Sequence, residues 1–580
     1  MKEDEHMKKK LLNHFIFIVI LSFFIFIYLC YINIVSYNIP FMDYWRTILR
    51  TIKMMEQKVP IMQIIWESDF GQRNPLIIGG VILNIKYAHL NCKISEYISV
   101  IPMSISCILI YKRWVKNISG NKITFIYQTV FSILLMFSLF NLNQWEILHI
   151  QFAFPFMARI CIYILIFYLA DQAIVDNNYE KRLLLSGALA MLAICGLSQL
   201  YFVALILSAW IVFFIYCIIS RRRKETISYK YILIWMGLSI GGVLIYFYNN
   251  NMASSGAGNI RDFIELIFNG QLVIGILSMF AAIILPQTFL ENINAIYVYI
   301  IGLIFLGVLV FCIFKYFQKK LYKNTYLPIF FILYGGINMG IIAYGRLGEY
   351  GAFYLTSSRY VVETTLILCG MIFIIATLLA TSDKKIGNII IHWSCILWVA
   401  TCMVFSFYNE CNIAKSRYAY KENLGGIIKN IDYASDEDLM GLQSKPQYIR
   451  ELTDILKENN LSLFYDDDVE LKRRIEFLYG IGNDSWVEEV GALKVRSGEQ
   501  GIIKIAGYNP NIGEMNDPSC EVYINDIKYG KMILDKEFEY EIKTEKNQII
   551  EIRFATKGAI QAPKPDVRKL AFIILNIKIE

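Results

Sequence analysis

Charge is scarce in this chain: 18% of its 580 residues are Asp, Glu, Lys or Arg, against 56% that are hydrophobic. So thin a polar surface excludes a water-soluble globule of ordinary composition. Histidine is rarer still, with five residues, and there is no HExxH, no Walker A loop and no GxGxxG at a strand-helix junction. The usual sequence grounds for a zinc protease or a nucleotide-binding enzyme are therefore missing. The twelve cysteines include no CxxC, and most lie in apolar runs, as Cys107, Cys161 and Cys369 do. There they act as small hydrophobes, so neither a zinc site nor a disulfide framework is indicated. The net charge of +7 does not point to nucleic acid, because the basic residues fall in short clusters between apolar runs. Their placement reports membrane topology.

What is present is a succession of apolar segments. Lys8, Lys9 and Lys10 precede an apolar run from Leu11 to Tyr31 with no small-residue cleavage pattern after it, which reads as an uncleaved signal anchor with a cytoplasmic N-terminus. Further spans are expected at 95–111, 123–141, 155–171, 183–198, 200–220, 230–249, 295–315, 326–345, 361–381 and 388–408, making eleven crossings. The clusters Lys112/Arg113/Lys116, Lys181/Arg182, Arg221 to Lys224, Lys315 to Lys323 and Lys384/Lys385 then all fall on the cytoplasmic side. Residues 263–285 are apolar enough to cross, but one crossing there would put the Lys315 cluster outside, so a re-entrant or interfacial segment is preferred, with a paired crossing as the alternative. The expectation is a plasma-membrane protein whose C-terminal region lies outside the cell.

Residues 1–410 thus form a polytopic α-helical domain with a long first outer loop at 34–94. From 411 to 482 the chain is polar and helix-like, with Tyr448, Leu452, Ile455 and Leu456 at helical spacing. From about 483 to 580 the period becomes two, as in Glu521-Val522-Tyr523-Ile524 and Ile550-Glu551-Ile552-Arg553-Phe554, and Asn525-Asp526 marks a hairpin. A small β-sandwich is the simplest expectation.

Ionisable residues near span ends are costly unless paired, hydrated or used, so they are the functional candidates. Directly after the first span comes Pro40-Phe41-Met42-Asp43-Tyr44-Trp45. Asp43 suits a helix N-cap, a general base or a ligand for a divalent cation. After it, Trp45, Ile48, Ile52, Met55 and Val59 alternate with Arg46, Arg50, Lys53 and Gln57, the pattern of an interfacial amphipathic helix. The same loop carries Glu67, Asp69 and Arg73. In the second outer loop, Trp145, Glu146, His149 and Gln151 suit substrate hydrogen bonding, a structural ion pair or metal ligation. Arg346 and Arg359, with neighbouring glycines, serines and Tyr360, suit phosphate binding, or snorkelling to lipid phosphates without a catalytic part.

Together, Pro40 and Asp43 after the first span, Asp69-Phe70-Gly71-Gln72-Arg73-Asn74, Trp145-Glu146 with Phe152, and Gly345-Arg346 with Ser358-Arg359-Tyr360 resemble the uncharacterised bacterial branch of the GT-C integral-membrane glycosyltransferases. The resemblance covers about residues 11–410. It implies transfer of a sugar from a polyprenyl-phosphate donor, on the outer membrane face, to a surface glycan or lipid-linked acceptor. It also implies an acidic first-loop residue near the acceptor. Many members carry a second acidic residue there, whereas Tyr44 follows Asp43 here; a magnesium or manganese ion would then rest on Asp43 with Glu67 or Asp69. The C-terminal hairpin around Asn525-Asp526 and the stretch Pro565 to Phe572 resemble a β-sandwich appended to some of these proteins. Such domains often bind carbohydrate.

On this expectation Asp43 is the base of an inverting hexosyl transfer. Arg346 and Arg359 stabilise the leaving phosphate, while Glu67, Asp69, Arg73, Trp145, Glu146, His149, Gln151 and Tyr360 shape the substrate pocket. The rival readings are a glycolipid flippase or transporter, a polymerase or ligase of preassembled glycans, and a non-catalytic anchor for the C-terminal domain. No half-repeat symmetry of a transporter is evident.

Overall fold

The computed structural model describes the chain except residues 1, 70–71, 119–124, 177–178, 198, 226, 228, 251–259, 382–385, 430, 432–433, 466–474, 483, 499, 547, 563–567 and 580. Phe70, Gly71, Lys384, Lys385 and Pro565 to Val567 therefore lie outside the described residues, as do the side chains of Asp69, Arg261 and Asp262. The chain divides into two compact units, Met1–Lys415 and Ser416–Glu580.

Among the described residues, ten helices are long and apolar enough to cross a membrane, and of the eleven expected spans the one at 183–198 is not among them. The expected span at 183–198 is the helix Tyr179–Gly196, whose first turn carries Glu180, Lys181 and Arg182. It packs against Ala153–Val175 through a hydrogen bond from Ser186 Oγ to the Ile166 carbonyl (2.9 Å), and against Tyr229–Phe247 through Trp235 Nε1 to Ser186 Oγ (3.1 Å). Small residues let these backbones approach: a Cβ on Gly242 would press on Met191 and Ile194.

The segment at 263–285 is broken at Gly270 (φ 72°) into the helices Ile260–Phe268 and Gln271–Ile284. Its helix Gln271–Ile284 has 14 residues, about 21 Å at 1.5 Å per residue, short of the ~30 Å of a bilayer core. Gly275 near its start lies against Leu347 and Leu355. Just past its end, Gln287 Oε1 accepts the Ser358 backbone N–H at 2.9 Å. Leu347 to Ser358 join the spans Leu327–Tyr350 and Ser358–Thr381 at one end of the bundle. The contacts of Gly275 and of Gln287 thus both fall on the connection between those two spans.

The opposite end holds a knot of paired charge. Asp171 pairs with Arg113 and accepts from Thr325 Oγ1 (2.7 Å) and the Tyr326 N–H (2.5 Å). Asp176 pairs with Lys116 and with Arg182 (3.3 Å). Burial works against the charged form of Asp176, but these cations hold its carboxyl below the usual range.

The second unit takes in the end of the helix Ile386–Lys429 and the short helix Asp436–Met440 before the helix Pro446–Glu458, which buries Ile449, Leu452 and Leu456 on one face. Its nine strands form one antiparallel sheet, β3 (Ile475–Ile481), β4 (Trp486–Arg496), β5 (Ile502–Tyr508), β6 (Ser519–Ile524), β7 (Ile527–Ile533), β8 (Glu537–Lys543), β9 (Ile549–Ala555), β10 (Ile560–Gln561) and β11 (Lys569–Ile579), after a minimal hairpin β1–β2 (Ser68–Asp69, Gln72–Arg73) in the first unit. The order is β7-β6-β9-β4-β11-β5-β8, with β3 on β4 and β10 on β11. The two ends of this order meet, because the Lys543 N–H on β8 donates to Tyr529 Oη on β7 at 2.9 Å. What the strands define is a continuous, nearly closed sheet, where the sequence suggested a two-layer sandwich. Asn525 and Asp526, both at positive φ (46° and 66°), make the tight β6–β7 turn. The sheet begins at Ile475, inside the segment expected to be a helical linker.

Asp171 is fully buried, and its loss leaves the Arg113 guanidinium with only its longer pair to Asp176 at 3.6 Å. Asp171→Ala is expected to cost about 3–5 kcal/mol of stability, read as a lower thermal transition of the detergent-solubilised protein.

Candidate functional site

Asp43 is delivered by a strained turn. Met42 before it has φ 53°, a conformation that costs a non-glycine residue about 1–3 kcal/mol and is retained where the surrounding fold requires it. Asp43 then stands at the N-cap position of the helix Tyr44–Glu56, yet its carboxylate makes no capping hydrogen bond. The helix buries Trp45, Ile48, Leu49 and Ile52 within the protein, so its apolar face covers protein where a headgroup-lying helix would meet lipid. It ends at Glu56, which leaves Val59 of the expected stripe outside it. Its polar face turns Arg46, Thr47, Arg50 and Thr51 into a cavity of about 280 Å³. Opposite them lies Glu67, paired with Arg50 at 3.2 Å.

A second cavity of about 310 Å³ adjoins the first. Asp43, Gln72, Phe152, Gln199 and Arg346 border both, so the two are chambers of one cleft. The front chamber sets the polar residues just named against Met54, Ile64, Ile77 and Ile78. The rear one has apolar walls, including Ile147, Ile150, Ile341 and Ile342, and carries Arg359, Tyr201 and Tyr360.

The Arg359 guanidinium is fixed from behind. Its Nη2 donates to Glu146 Oε1 (2.9 Å), while Oε2 of the same carboxylate accepts from Ser357 Oγ and Ser358 Oγ (both 2.8 Å) and from the Arg359 N–H (3.0 Å). Glu146 is thus engaged on both oxygens and clamps the 357–360 turn onto the second outer loop. Below it lies a second pair, Arg159 with Glu363, the latter also accepting from Tyr334 Oη at 2.6 Å. Arg159 is sandwiched between the rings of Phe156 and Tyr201, 4.4 and 4.6 Å from their centroids.

The expected site residues therefore separate. Asp43, Glu67, Glu146, Arg346, Arg359 and Tyr360 come together around the cleft. Arg73 does not: its guanidinium donates to the carbonyls of Ile245 (3.1 Å) and Tyr248 (2.5 Å) and stacks over Trp66, pinning the β1–β2 hairpin to the end of a distant span. Gln151 donates to the Ile39 carbonyl at 2.9 Å and is buried. His149 is also buried, with its ring 5.2 Å from that of Tyr31 and 6.0 Å from that of Trp145. It does not share a helical face with Glu146, because the helix starting at Trp145 stops at Leu148. Asp69 lies in β1, paired with Gln72. Arg46, Arg50, Gln72 and Gln199 line the cleft without having been singled out as site residues.

Among the described residues, no group of three or more His, Cys, Asp or Glu is placed to hold a metal ion. The carboxylates of the front chamber, Asp43 and Glu67, share it with Arg46, Arg50 and Arg346, and Glu67 is paired with one of them. A donor set so outweighed by guanidinium does not fit magnesium or manganese, which favour uncompensated oxygen ligands.

No family model and no curated protein matches this chain. Fold and cleft together define a multi-pass membrane protein with a charged, two-chambered cleft at one end of its helical bundle.

Glu146→Ala leaves Arg359 and two serine hydroxyls without their shared acceptor. Because the Arg359 side chain is 37% exposed, solvent recovers part of the loss, and a destabilisation of about 2 kcal/mol is expected. Thermal unfolding of the purified variant measures it.

Proposed function

We propose that the protein is a membrane glycosyltransferase of GT-C type, moving a sugar from a polyprenyl-phosphate donor to a hydroxyl of a surface glycan or lipid-linked acceptor. The observation that carries this reading is the position of Asp43 and Arg346 at the junction of two chambers, one bordered by Arg46, Arg50 and Glu67 and the other by Arg359, Ile341 and Ile342. A prenyl-phosphate sugar is half hydrocarbon and half polar, and its acceptor is hydrophilic. The rear chamber suits the lipid end and its phosphate, with Arg359 and Arg346 as permanently charged donors to phosphate oxygens. The front chamber, with threonines, Gln72, Asn74 and charged groups, suits the acceptor.

The chemistry is a direct displacement. Asp43 takes the proton of the acceptor hydroxyl as its oxygen bonds to the sugar C1, and the C1–O bond to phosphate breaks with its electron pair going to the phosphate. The guanidinium groups meet the charge that gathers there. Attack from the face opposite the leaving group inverts C1. Topology supports an extracytoplasmic reaction: the basic residues Lys116, Arg182 and Arg221 lie at the ends of helices opposite to those that bear the cleft. The sheet of the second unit fits a carbohydrate-handling accessory, as the resemblance implies.

Asp43→Asn is expected to lower transfer by at least about 10²-fold with an unchanged thermal transition. The assay uses defined polyprenyl-phosphate sugars with extracted surface glycan; retained activity removes Asp43 from the role of base. In the same assay, Arg359→Ala should weaken donor use more than acceptor use, and equal effects would argue against a phosphate contact. A chelator is expected to leave the rate unaltered, since arginine stands where a metal would act.

A further inference from the structure

We infer that Gln199 is the residue that recognises the transferred sugar, with an amide N–H aimed into the junction of the two chambers by Arg159. This rests on the glycosyltransferase reading and assigns it a specificity determinant.

Three observations meet at Gln199. It borders the front chamber, the rear chamber and a small recess behind them. A sugar passing from phosphate to acceptor has to cross the place these spaces share. Its backbone has φ 30°, in the left-handed region where glycine would be relaxed and a glutamine is not. The fold therefore tolerates strain to hold a side chain at this point.

The third observation fixes which end of the amide faces the cleft. Arg159 Nη1 lies 3.4 Å from Gln199 Oε1, and a guanidinium has donors only, so the oxygen and not the nitrogen must turn toward it. Arg159 cannot easily swing away, because it is 1% exposed, paired with Glu363 and held between two aromatic rings. With the oxygen committed to Arg159, the N–H of Nε2 that lies antiparallel to the C=O points away from Arg159. It suits acceptors that carry lone pairs, as sugar hydroxyl and ring oxygens do. A site built to donate to such an oxygen discriminates strongly against an analogue that lacks it. Gln199 thus makes the substrate contact, and Arg159 is its positioning residue.

The test uses the full chain in detergent and three variants. Gln199→Gly relieves the backbone and removes the side chain; Gln199→Glu keeps the oxygen facing Arg159 and removes the donors; Arg159→Lys loosens the positioning. The probes are polyprenyl phosphate with and without a hexose, read by ligand-induced thermal shift and, where transfer occurs, by KM and kcat. Gln199→Gly and Gln199→Glu are expected to unfold at or above the wild-type temperature, yet to lose at least tenfold in affinity for the hexose-bearing lipid while still binding the bare lipid phosphate. Arg159→Lys should raise KM with a smaller effect on kcat. Wild-type affinity for the hexose-bearing lipid in the two Gln199 variants would overturn the proposal. So would equal losses for both lipids, which would make the residue a structural or phosphate contact. Selective loss in the Gln199 variants without transfer by the wild type would uphold the sugar contact and overturn only the transferase reading.

Discussion

The cleft depends on the ion pair between Arg159 and Glu363. Both groups are essentially inaccessible to water, and two charges so placed are tolerable only together and with their other hydrogen-bonding positions filled. Glu363 takes a further bond from Tyr334, so the pair locks three spans, Ala153–Val175, Leu327–Tyr350 and Ser358–Thr381, at one depth. Four residues before Glu363 on the same chain stands Arg359, and one helical face above Tyr334 lie Ile341, Ile342 and Arg346, which wall the rear chamber. A buried pair adds little net stability, but it fixes registry. Here the registry it fixes is that of the elements carrying both arginines of the cleft.

Pairing is repeated at each level of the bundle, and its strictness falls as water becomes accessible. Arg113 with Asp171 closes the far end, and Glu146 with Arg359 closes the cleft wall. Arg50 with Glu67 stands in the open front chamber, with side chains 32% and 40% exposed. The first of these is structural because it is buried on both sides. The last is weak enough for an incoming polar ligand to replace. Between them, Glu146 holds Arg359 from the protein side while Arg359 still borders open space.

The spans were legible because an apolar run long enough for a bilayer has few other uses. The one expected at 183–198 is the helix Tyr179–Gly196, which three charges in its first turn keep out of the ten apolar enough to cross, while its hydrogen bonds place it alongside two of them. β3 was missed for a different reason. Ile-Glu-Phe-Leu-Tyr-Gly-Ile does not alternate cleanly, and a strand paired along one edge to β4 needs no strict alternation. Within the site, position near span ends correctly drew attention to ionisable groups, but not to their partners. Arg73 and Arg346 look alike in sequence, yet Arg73 is satisfied by carbonyls some 172 to 175 residues away. Arg46 and Arg50 were expected on the polar side of an interfacial amphipathic helix, and tertiary packing turns that side toward a cavity. Gln199 carries no charge and had no signal of its own beyond its place at a span end.

The division of the cleft also bears on how it could work without a metal. A divalent cation would hold donor phosphate and acceptor by one centre, and the two carboxylates needed to bind it would be drawn from the base itself. Arg346 offers another solution, since it borders both chambers and keeps its charge at every relevant pH. Asp43 and Glu67 share the front chamber with Arg46 and Arg50, so carboxylates and guanidinium groups stand side by side along one cleft. In the proposed transfer, that juxtaposition is what would let a base and a stabiliser of the leaving phosphate act at one junction.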